Sequence, residues 1–319
     1  MSDVAVLGAG PWGTTLATLL ARNGRHVRLW STDAARRAWL RHERSIPGSS
    51  GVPLHDEVEP VETAEEALAA GLLFFAIHPG EIRDTVKLLS PRLRPDHRVV
   101  HLARGFDEGG RTLSQVIVEE SCVLMVGALA GPIVPTEIWR GEDAAAVVGS
   151  RFDRVQAEVQ DVLAQGRLRV YATHDLVGLE VGGALRVPVA LAAGMLQALG
   201  AGRAMIAVLL TRALAEGGRL AEAMGGEAST LSGLGGIGDW MATVHDPEDG
   251  LVRAGMRLAK GVSLDHPEAA RRLRATLALA RHRRIDLPIV GAVGAVIDGT
   301  PVQKALAELM ARPSRDERG

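Results

Sequence analysis

The chain has 319 residues, 47% hydrophobic and 23% charged, with a formal net charge of −2. That is globular composition, with length for two domains that each bury a core. The absence of a basic excess argues against nucleic acid or an anionic membrane as partner. The 3% aromatic content argues against a base-stacking platform. The single cysteine, Cys122, excludes an internal disulfide framework and speaks against a metal–thiolate site, so no metal is expected. Nothing before the first apolar run has the form of a signal peptide. No run of about 18 uninterrupted apolar residues offers a membrane span. The expectation is a cytoplasmic protein without membrane insertion.

The first element is a buried strand over Val4–Leu7, followed by Gly8-Ala-Gly10-Pro11-Trp12-Gly13 and a helix carrying Leu16, Leu19 and Leu20 on one face. This is a G-x-G-x-x-G turn between a strand and a helix, the setting that a dinucleotide fingerprint requires. Gly8 allows the tight turn, Gly10 lets the backbone approach a pyrophosphate, and Gly13 lets helix and strand pack closely. The free N–H groups at the helix start would hold the phosphates. A second strand ends at Trp30, and Asp33 lies about 20 residues past the fingerprint, where a carboxylate grips the ribose of NAD. Ser31, Thr32, Arg36 and Arg37 suit the 2′-phosphate of NADP, so the cofactor is NAD or NADP. Asp33 is equally a helix N-cap for residues 34–40.

Residues 45–60 read as a loop and 64–69 as a short helix. Residues 72–77 form a strand ending in His78-Pro79-Gly80, and 81–89 a helix. Residues 98–102 form a strand ending at Ala103-Arg104-Gly105. A helix over 112–119 and a strand over 122–126 follow, the latter burying Cys122 as a core residue. The alternation predicts a parallel, doubly wound sheet whose ligands lie at the carboxyl ends of its strands. That rule groups residues 8–13, 77–80, Arg104 and 131–134. Past Tyr171 the chain becomes rich in Ala, Leu and Gly, and the segments to Arg312 all read as helices. A kink is expected at Pro188. Arg212 and Glu216, four apart, are expected to pair. The fold class is therefore α/β: a Rossmann-type domain over residues 1–172, an all-α domain over 173–312 and a disordered tail over 313–319.

The fingerprint, Arg28-Leu-Trp30, Gly131-Pro132, Val177-Gly-Leu-Glu180-Val-Gly-Gly-Ala-Leu-Arg186, Thr211-Arg212-Ala-Leu-Ala-Glu216 and Leu231-Ser-Gly-Leu-Gly-Gly-Ile-Gly-Asp239 occur in this order. Together they resemble the bacterial-type NAD(P)-dependent glycerol-3-phosphate dehydrogenase family. The resemblance implies an oxidoreductase of glycerophospholipid metabolism that interconverts dihydroxyacetone phosphate and sn-glycerol 3-phosphate. It implies a small phosphorylated substrate and is compatible with a homodimer. It assigns Arg186 and Asp239 to catalysis, and Arg104, Gly131, Asp239 and Thr243 to the substrate. Arg104 also joins Gly8, Gly10, Pro11, Trp12, Gly13, Thr32 and Asp33 at the cofactor.

The chain departs from the family's pattern. Arg104 stands where the family has a lysine, and Arg186-Val187 where it has the catalytic Lys-Asn pair. Ile133 replaces a serine, and Asp249-Gly250-Leu251 a Ser-Arg-Asn clamp. Lysine can donate a proton once burial lowers its pKa, whereas arginine stays protonated. Arg186 could still polarise a carbonyl, with Asp239 or a water relaying the proton. Three readings follow: the dehydrogenase with an altered site, a dehydrogenase for a different ketone or alcohol on the same scaffold, and a catalytically weak or inactive cofactor-binding paralogue. The apolar Ile133, Val187 and Leu251 motivate the second, and the loss of both lysines motivates the third.

Overall fold

The computed structural model describes residues 3–45, 52–163, 167–246 and 248–312. They divide into two compact units, Met1–Ala103 with Leu113–Leu176, and Arg104–Thr112 with Val177–Gly319. The second unit takes in Arg104–Thr112, which the sequence reading left with the first domain.

Among the described residues, the first unit holds one eight-stranded sheet of order β3-β2-β1-β4-β5-β6-β7-β8. The strands are β1 (Val4–Leu7), β2 (Val27–Trp30), β3 (Val58–Pro60), β4 (Leu72–Phe75), β5 (Arg98–His101), β6 (Met125–Ala130), β7 (Ala144–Ser150) and β8 (Leu168–Thr173). Its helices are α1 (Pro11–Arg22), α2 (Ala34–Glu43), α3 (Ala64–Leu68), α4 (Ile82–Leu89), α5 (Leu113–Glu120), α6 (Pro135–Arg140) and α7 (Asp153–Leu163). β1, β4 and β5 are buried throughout, as parallel strands covered on both faces must be. Alternate residues serve opposite faces. Val4 and Val6 pack with Leu16 and Leu20 of α1, while Ala5 and Leu7 pack with Val86 and Leu89 of α4. β1 pairs in parallel with β2 on one side and β4 on the other. The chain therefore reverses its winding direction beside β1, the switch point at which such sheets bind ligands. β7 runs antiparallel to β6.

Three local expectations are corrected. β6 begins at Met125 rather than 122, because the apolar run that makes it continues to Ala130. Cys122 is therefore outside the strand and exposed, its thiol donating to the Leu93 carbonyl at 3.2 Å. β3 lies within the stretch read as loop. It pairs only with β2, and an edge strand tolerates its proline.

The second unit is built from α8 (Leu176–Ala198), α9 (Arg203–Ala223), α10 (Asp239–His245), α11 (Gly250–Ala259), α12 (Pro267–Arg283), α13 (Pro288–Ile297) and α14 (Val302–Met310). α8 begins one residue before the unit boundary. It is long and apolar enough to cross a membrane, but 94% of its most apolar stretch is buried, so it is the core helix of this unit. Pro188 lies inside α8 without ending it, although proline supplies no N–H to the Ala184 carbonyl. Glycines let α8 meet its neighbours at the backbone. A Cβ on Gly194 would lie 2.0 Å from the Val252 carbonyl oxygen, and one on Gly255 of α11 would lie 2.2 Å from that of Leu191.

The expected Arg212–Glu216 pairing is also corrected. The buried Glu216 accepts the N–H groups of Ile289 at 2.7 Å and Val290 at 3.5 Å. These open α13 just after Pro288, where helical N–H groups need an acceptor and the dipole favours negative charge. The tail at 313–319 and most of the loop before Val52 lie outside the described residues.

Candidate active site

In the first unit, the fingerprint residues form the turn from β1 into α1. Gly8 has φ +112, and a Cβ there would fall 2.2 Å from the Ala76 carbonyl oxygen. A Cβ on Gly13 would fall 1.8 Å from the Gly8 carbonyl oxygen. Both positions therefore need glycine for packing. Gly10 differs, since nothing lies within 4 Å of a Cβ built there. It caps α1 without a side chain, and Pro11 opens the helix. Gly10 thus leaves open space beside the start of α1, where a helix N-terminus favours an anion. Trp12 is half-buried on the same turn. Behind it the Thr15 hydroxyl donates to the Pro11 carbonyl at 2.6 Å and accepts from Trp139 Nε1 at 2.9 Å, fixing the loop's rear.

Beyond β2, Asp33 caps α2, its Oδ1 accepting the N–H groups of Ala35 and Arg36 at 2.9 and 3.1 Å. Arg37 donates to the Ser31 and Thr32 carbonyls at 2.7 and 3.2 Å, and pairs with Glu62 at 3.3 Å. It is thereby committed to the shape of this loop. Thr32 is exposed and Arg36 half-exposed. Gly131, buried at the end of β6, has φ +123, with a notional Cβ 3.1 Å from Ala146 Cα. Residues 8–13, 77–80 and 131–134 thus all follow carboxyl ends of strands, as the sequence predicts. His174 contacts Gln156 at 3.1 Å and Asp153 at 3.4 Å on the surface of this unit.

In the second unit, the structure brings Arg104, Arg186, Asp239 and Thr243 together. Arg186 lies on α8, Asp239 and Thr243 on α10, and Arg104 in the segment before Thr112. Glycines again set the approach. A Cβ on Gly182 would strike the Gly235 carbonyl oxygen at 2.4 Å, and Arg104 Cγ passes 3.3 Å from that of Gly183. Residues Leu234–Gly238 form a π-helical turn into α10, a geometry frequent at functional sites. Trp240 Nε1 donates to the Gly182 carbonyl at 2.9 Å and ties α10 to α8. Arg186 Nε donates to the Thr243 hydroxyl at 2.8 Å and stands 3.8 Å from Asp239 Oδ1. Arg104 Nη1 lies 3.1 Å from Asp239 Oδ2. This last contact is between charges, since Oδ2 receives no aligned N–H.

Two further residues join this cluster, Asp249 from the altered clamp and Arg272, which no motif marks. Asp249 turns inward, with Oδ2 2.6 Å from Arg186 Nη2. Arg272 on α12 donates from Nη1 to the Arg104 carbonyl at 3.2 Å. Arg253 pairs with Glu248 at 2.9 Å on the exposed side of α11. Val187 and Leu251 are buried in the core of the helical unit and Ile133 in that of the sheet. Packing therefore accounts for the apolar replacements.

Burial pushes the Asp239 carboxyl up from its ordinary value against the pull of Arg104 and Arg186. Burial likewise lowers the Arg104 guanidinium, with Asp239 opposing and Arg186 reinforcing the shift. Arg272 is brought down to about 10 by burial and by its neighbours Arg186 and Arg104. Both arginines remain cations near neutral pH. Asp239 is the acid of this cluster, and burial favours its protonated form. The cluster can hold negative charge on its guanidinium groups, beside a carboxyl whose anion burial disfavours.

Known proteins share this architecture along its whole length. Residues 3–156 match the model of the NAD-dependent glycerol-3-phosphate dehydrogenase N-terminus, and residues 175–307 that of its C-terminus. A glycerol-3-phosphate dehydrogenase [NAD(P)+] of Moorella thermoacetica is 39% identical over 99% of this chain and 97% of its own. One of Acidobacterium capsulatum is 34% identical over 99% and 100%. The crystal structure of glycerol-3-phosphate dehydrogenase from Coxiella burnetii superposes with a TM-score of 0.91 at 27% identity, covering 98% of this chain and 99% of that one. With both halves matched in order and at this identity, the chain belongs to the NAD-dependent glycerol-3-phosphate dehydrogenase family.

Proposed function

We propose that this chain is an NAD(P)-dependent sn-glycerol-3-phosphate dehydrogenase acting between NAD(P)H and dihydroxyacetone phosphate. The observation that carries the reading is the cluster in which Arg186 and Arg104 flank the buried carboxyl of Asp239. The open space at Gly10 suits a dinucleotide. Gly8, Gly10, Pro11, Trp12 and Gly13 would hold the pyrophosphate, and Thr32 and Asp33 the adenine ribose. Asp33 Oδ2 is left over from capping for the diol of NAD. Arg36 has no carboxylate partner among the described residues and suits the extra phosphate of NADP. When bound, the reduced nicotinamide supplies the hydride.

Arg186 holds the carbonyl oxygen and stabilises the negative charge that grows there. Being always protonated, it cannot give that oxygen its proton. Burial disfavours the Asp239 anion and raises its carboxyl against the pull of Arg104 and Arg186, so this carboxyl is the group that could relay the proton, directly or through a water. Thr243, donating its hydroxyl to the Asp239 carbonyl at 2.8 Å, orients Arg186 through Nε. Arg104 completes the group of cations around Asp239 in the helical unit. The near-neutral charge and the buried α8 support a cytoplasmic enzyme without membrane or nucleic-acid partners.

The test is to titrate NADH and NADPH separately against tryptophan fluorescence, then add dihydroxyacetone phosphate and follow cofactor oxidation. Turnover is expected. Cofactor binding without turnover at high enzyme concentration overturns the enzyme reading. It would favour a weak or inactive paralogue, the reading that the Arg186–Asp249 ion pair recommends.

A further inference from the structure

Three guanidinium groups meet in the helical unit, and they share two carboxylates. Arg104 faces Asp239 at 3.1 Å, and Arg186 faces Asp249 at 2.6 Å. Arg272 has no carboxylate of a described residue within ion-pair distance. Its one hydrogen bond among the described residues runs from Nη1 to the Arg104 carbonyl. Nε is buried without a partner. Glu268, one turn earlier on α12, acts on it only at longer range, and is paired at 2.8 Å with Arg271.

A guanidinium carries five donors in a fixed fork, and a buried donor without an acceptor costs free energy. Arg272 is also held among like charges and half out of water, which lowers its pKa to about 10. An anion would offset both costs. Even with both aspartates ionised, three arginines leave this cluster with positive charge in excess, and Arg272 is the guanidinium with no carboxylate of a described residue within ion-pair distance. Arg186 and Arg104 are engaged by carboxylates, and Gly250 has no side chain to offer. A planar fork suits two oxygens of one phosphoryl group.

We propose that Arg272 is the residue that binds the phosphoryl group of the substrate. This rests on the proposed function for the identity of that substrate, but the anion site itself does not depend on turnover. Arg272 sets specificity for the phosphorylated ketone over the unphosphorylated one, while Arg186 and Asp239 act on the carbonyl end.

The experiment compares wild type with Arg272→Gln and Arg272→Lys. Calorimetry with inorganic phosphate and with sn-glycerol 3-phosphate measures the anion site without turnover. Kinetics with dihydroxyacetone phosphate and with dihydroxyacetone measure its part in the reaction. R272Q is expected to weaken both anions by about 10- to 100-fold, the loss of one charged hydrogen-bonded contact. It should raise KM for dihydroxyacetone phosphate by a similar factor with little change in kcat. The rate on dihydroxyacetone and the affinity for NADH should stay as they were. R272K, which keeps the charge and loses the fork, should fall between. Unchanged anion binding in R272Q overturns the proposal, as does a fall in kcat for both ketones alike, which marks a structural role. Wild type that binds neither anion overturns it too. Wild type that binds both anions and loses them in R272Q, yet reduces neither ketone, sustains the anion site and overturns the dehydrogenase reading instead.

Discussion

Arg186 Nη2 and Asp249 Oδ2 lie 2.6 Å apart, so the guanidinium proposed to hold the carbonyl already holds a carboxylate. Asp249 does two separable things. Its Oδ1 accepts the N–H groups of Leu251 and Val252 at 2.9 and 3.1 Å and caps α11, while Oδ2 holds Arg186. Asp249→Asn keeps an oxygen for the cap and removes the charge. It should lower KM for dihydroxyacetone phosphate about 5-fold, the effect of about 1 kcal/mol of relieved repulsion in a partly solvated site. Steady-state kinetics check this, and a KM that rises or stays fixed means that the substrate's charge lies away from Asp249.

Arg186→Lys tests where the proton comes from. A buried lysine beside Arg104 and Asp239 can titrate near neutral pH, which arginine cannot. General acid catalysis contributes about 10²- to 10⁴-fold in favourable cases. The substitution also sacrifices the Nε bond to Thr243 and the forked grip on Asp249. A net gain of about 10-fold in kcat is expected, accompanied by a new alkaline limb in the pH–rate profile. A lysine variant no faster than wild type, with the same profile, places proton transfer at another group.

The fingerprint glycines predict opposite outcomes for one methyl group. Gly13→Ala puts a carbon 1.8 Å from the Gly8 carbonyl oxygen, so the β1–α1 packing must give way. Loss of several kcal/mol, seen as a marked fall in melting temperature, is expected. Gly10→Val meets nothing within 4 Å. It should leave the melting temperature within a few degrees and weaken NADH and NADPH by about 10-fold or more, because the side chain takes the space of the pyrophosphate. Fluorescence titration and thermal unfolding on both variants separate the two effects. Equal loss of stability in both would show that Gly10 is also a packing glycine.

These relationships differ in how far along the chain their causes lie. The turn at Gly8 to Gly13 was readable because strand, glycine spacing and helix face are all local signals. The helical second half was readable from its Ala- and Leu-rich segments, and short ordered motifs singled out Arg186, Asp239, Thr243 and Arg104, which the helical unit brings together. Asp249 stood out in the sequence only as a departure from the family's clamp, which disclosed neither its cap on α11 nor its hold on Arg186. Arg272 gave no signal. It reaches the carbonyl of a residue 168 positions earlier, and in sequence it is one of several arginines on α12. Glu216 misled for the same reason. A neighbour four residues away was visible, but the N–H groups of α13, 73 positions on, were not. Cys122 and β6 show the local counterpart. An apolar run was recognised, but where pairing with β5 begins is decided by the sheet.

Glu216 also gives the protein a pH dependence apart from the active site. It is 4% exposed and lines an apolar cavity of about 450 Å³ between α8, α9, α13 and α14. Burial raises its carboxyl to about 7 from 4.5, although the N–H groups of Ile289 and Val290 pull the other way. The folded state therefore binds this proton more tightly than the unfolded chain. The associated stability is complete below pH 4.5, is lost as pH rises through about 7, and changes no further above that. A shift of this size corresponds to about 3 kcal/mol. Glu216→Gln retains an acceptor for the Ile289 N–H and has no proton to lose. It should match wild type near pH 4.5 and exceed it at pH 8, with a flatter curve between. Chemical denaturation across that range measures both proteins. Parallel curves would show that Glu216 is ionised in the fold throughout, its charge held by the N-terminus of α13.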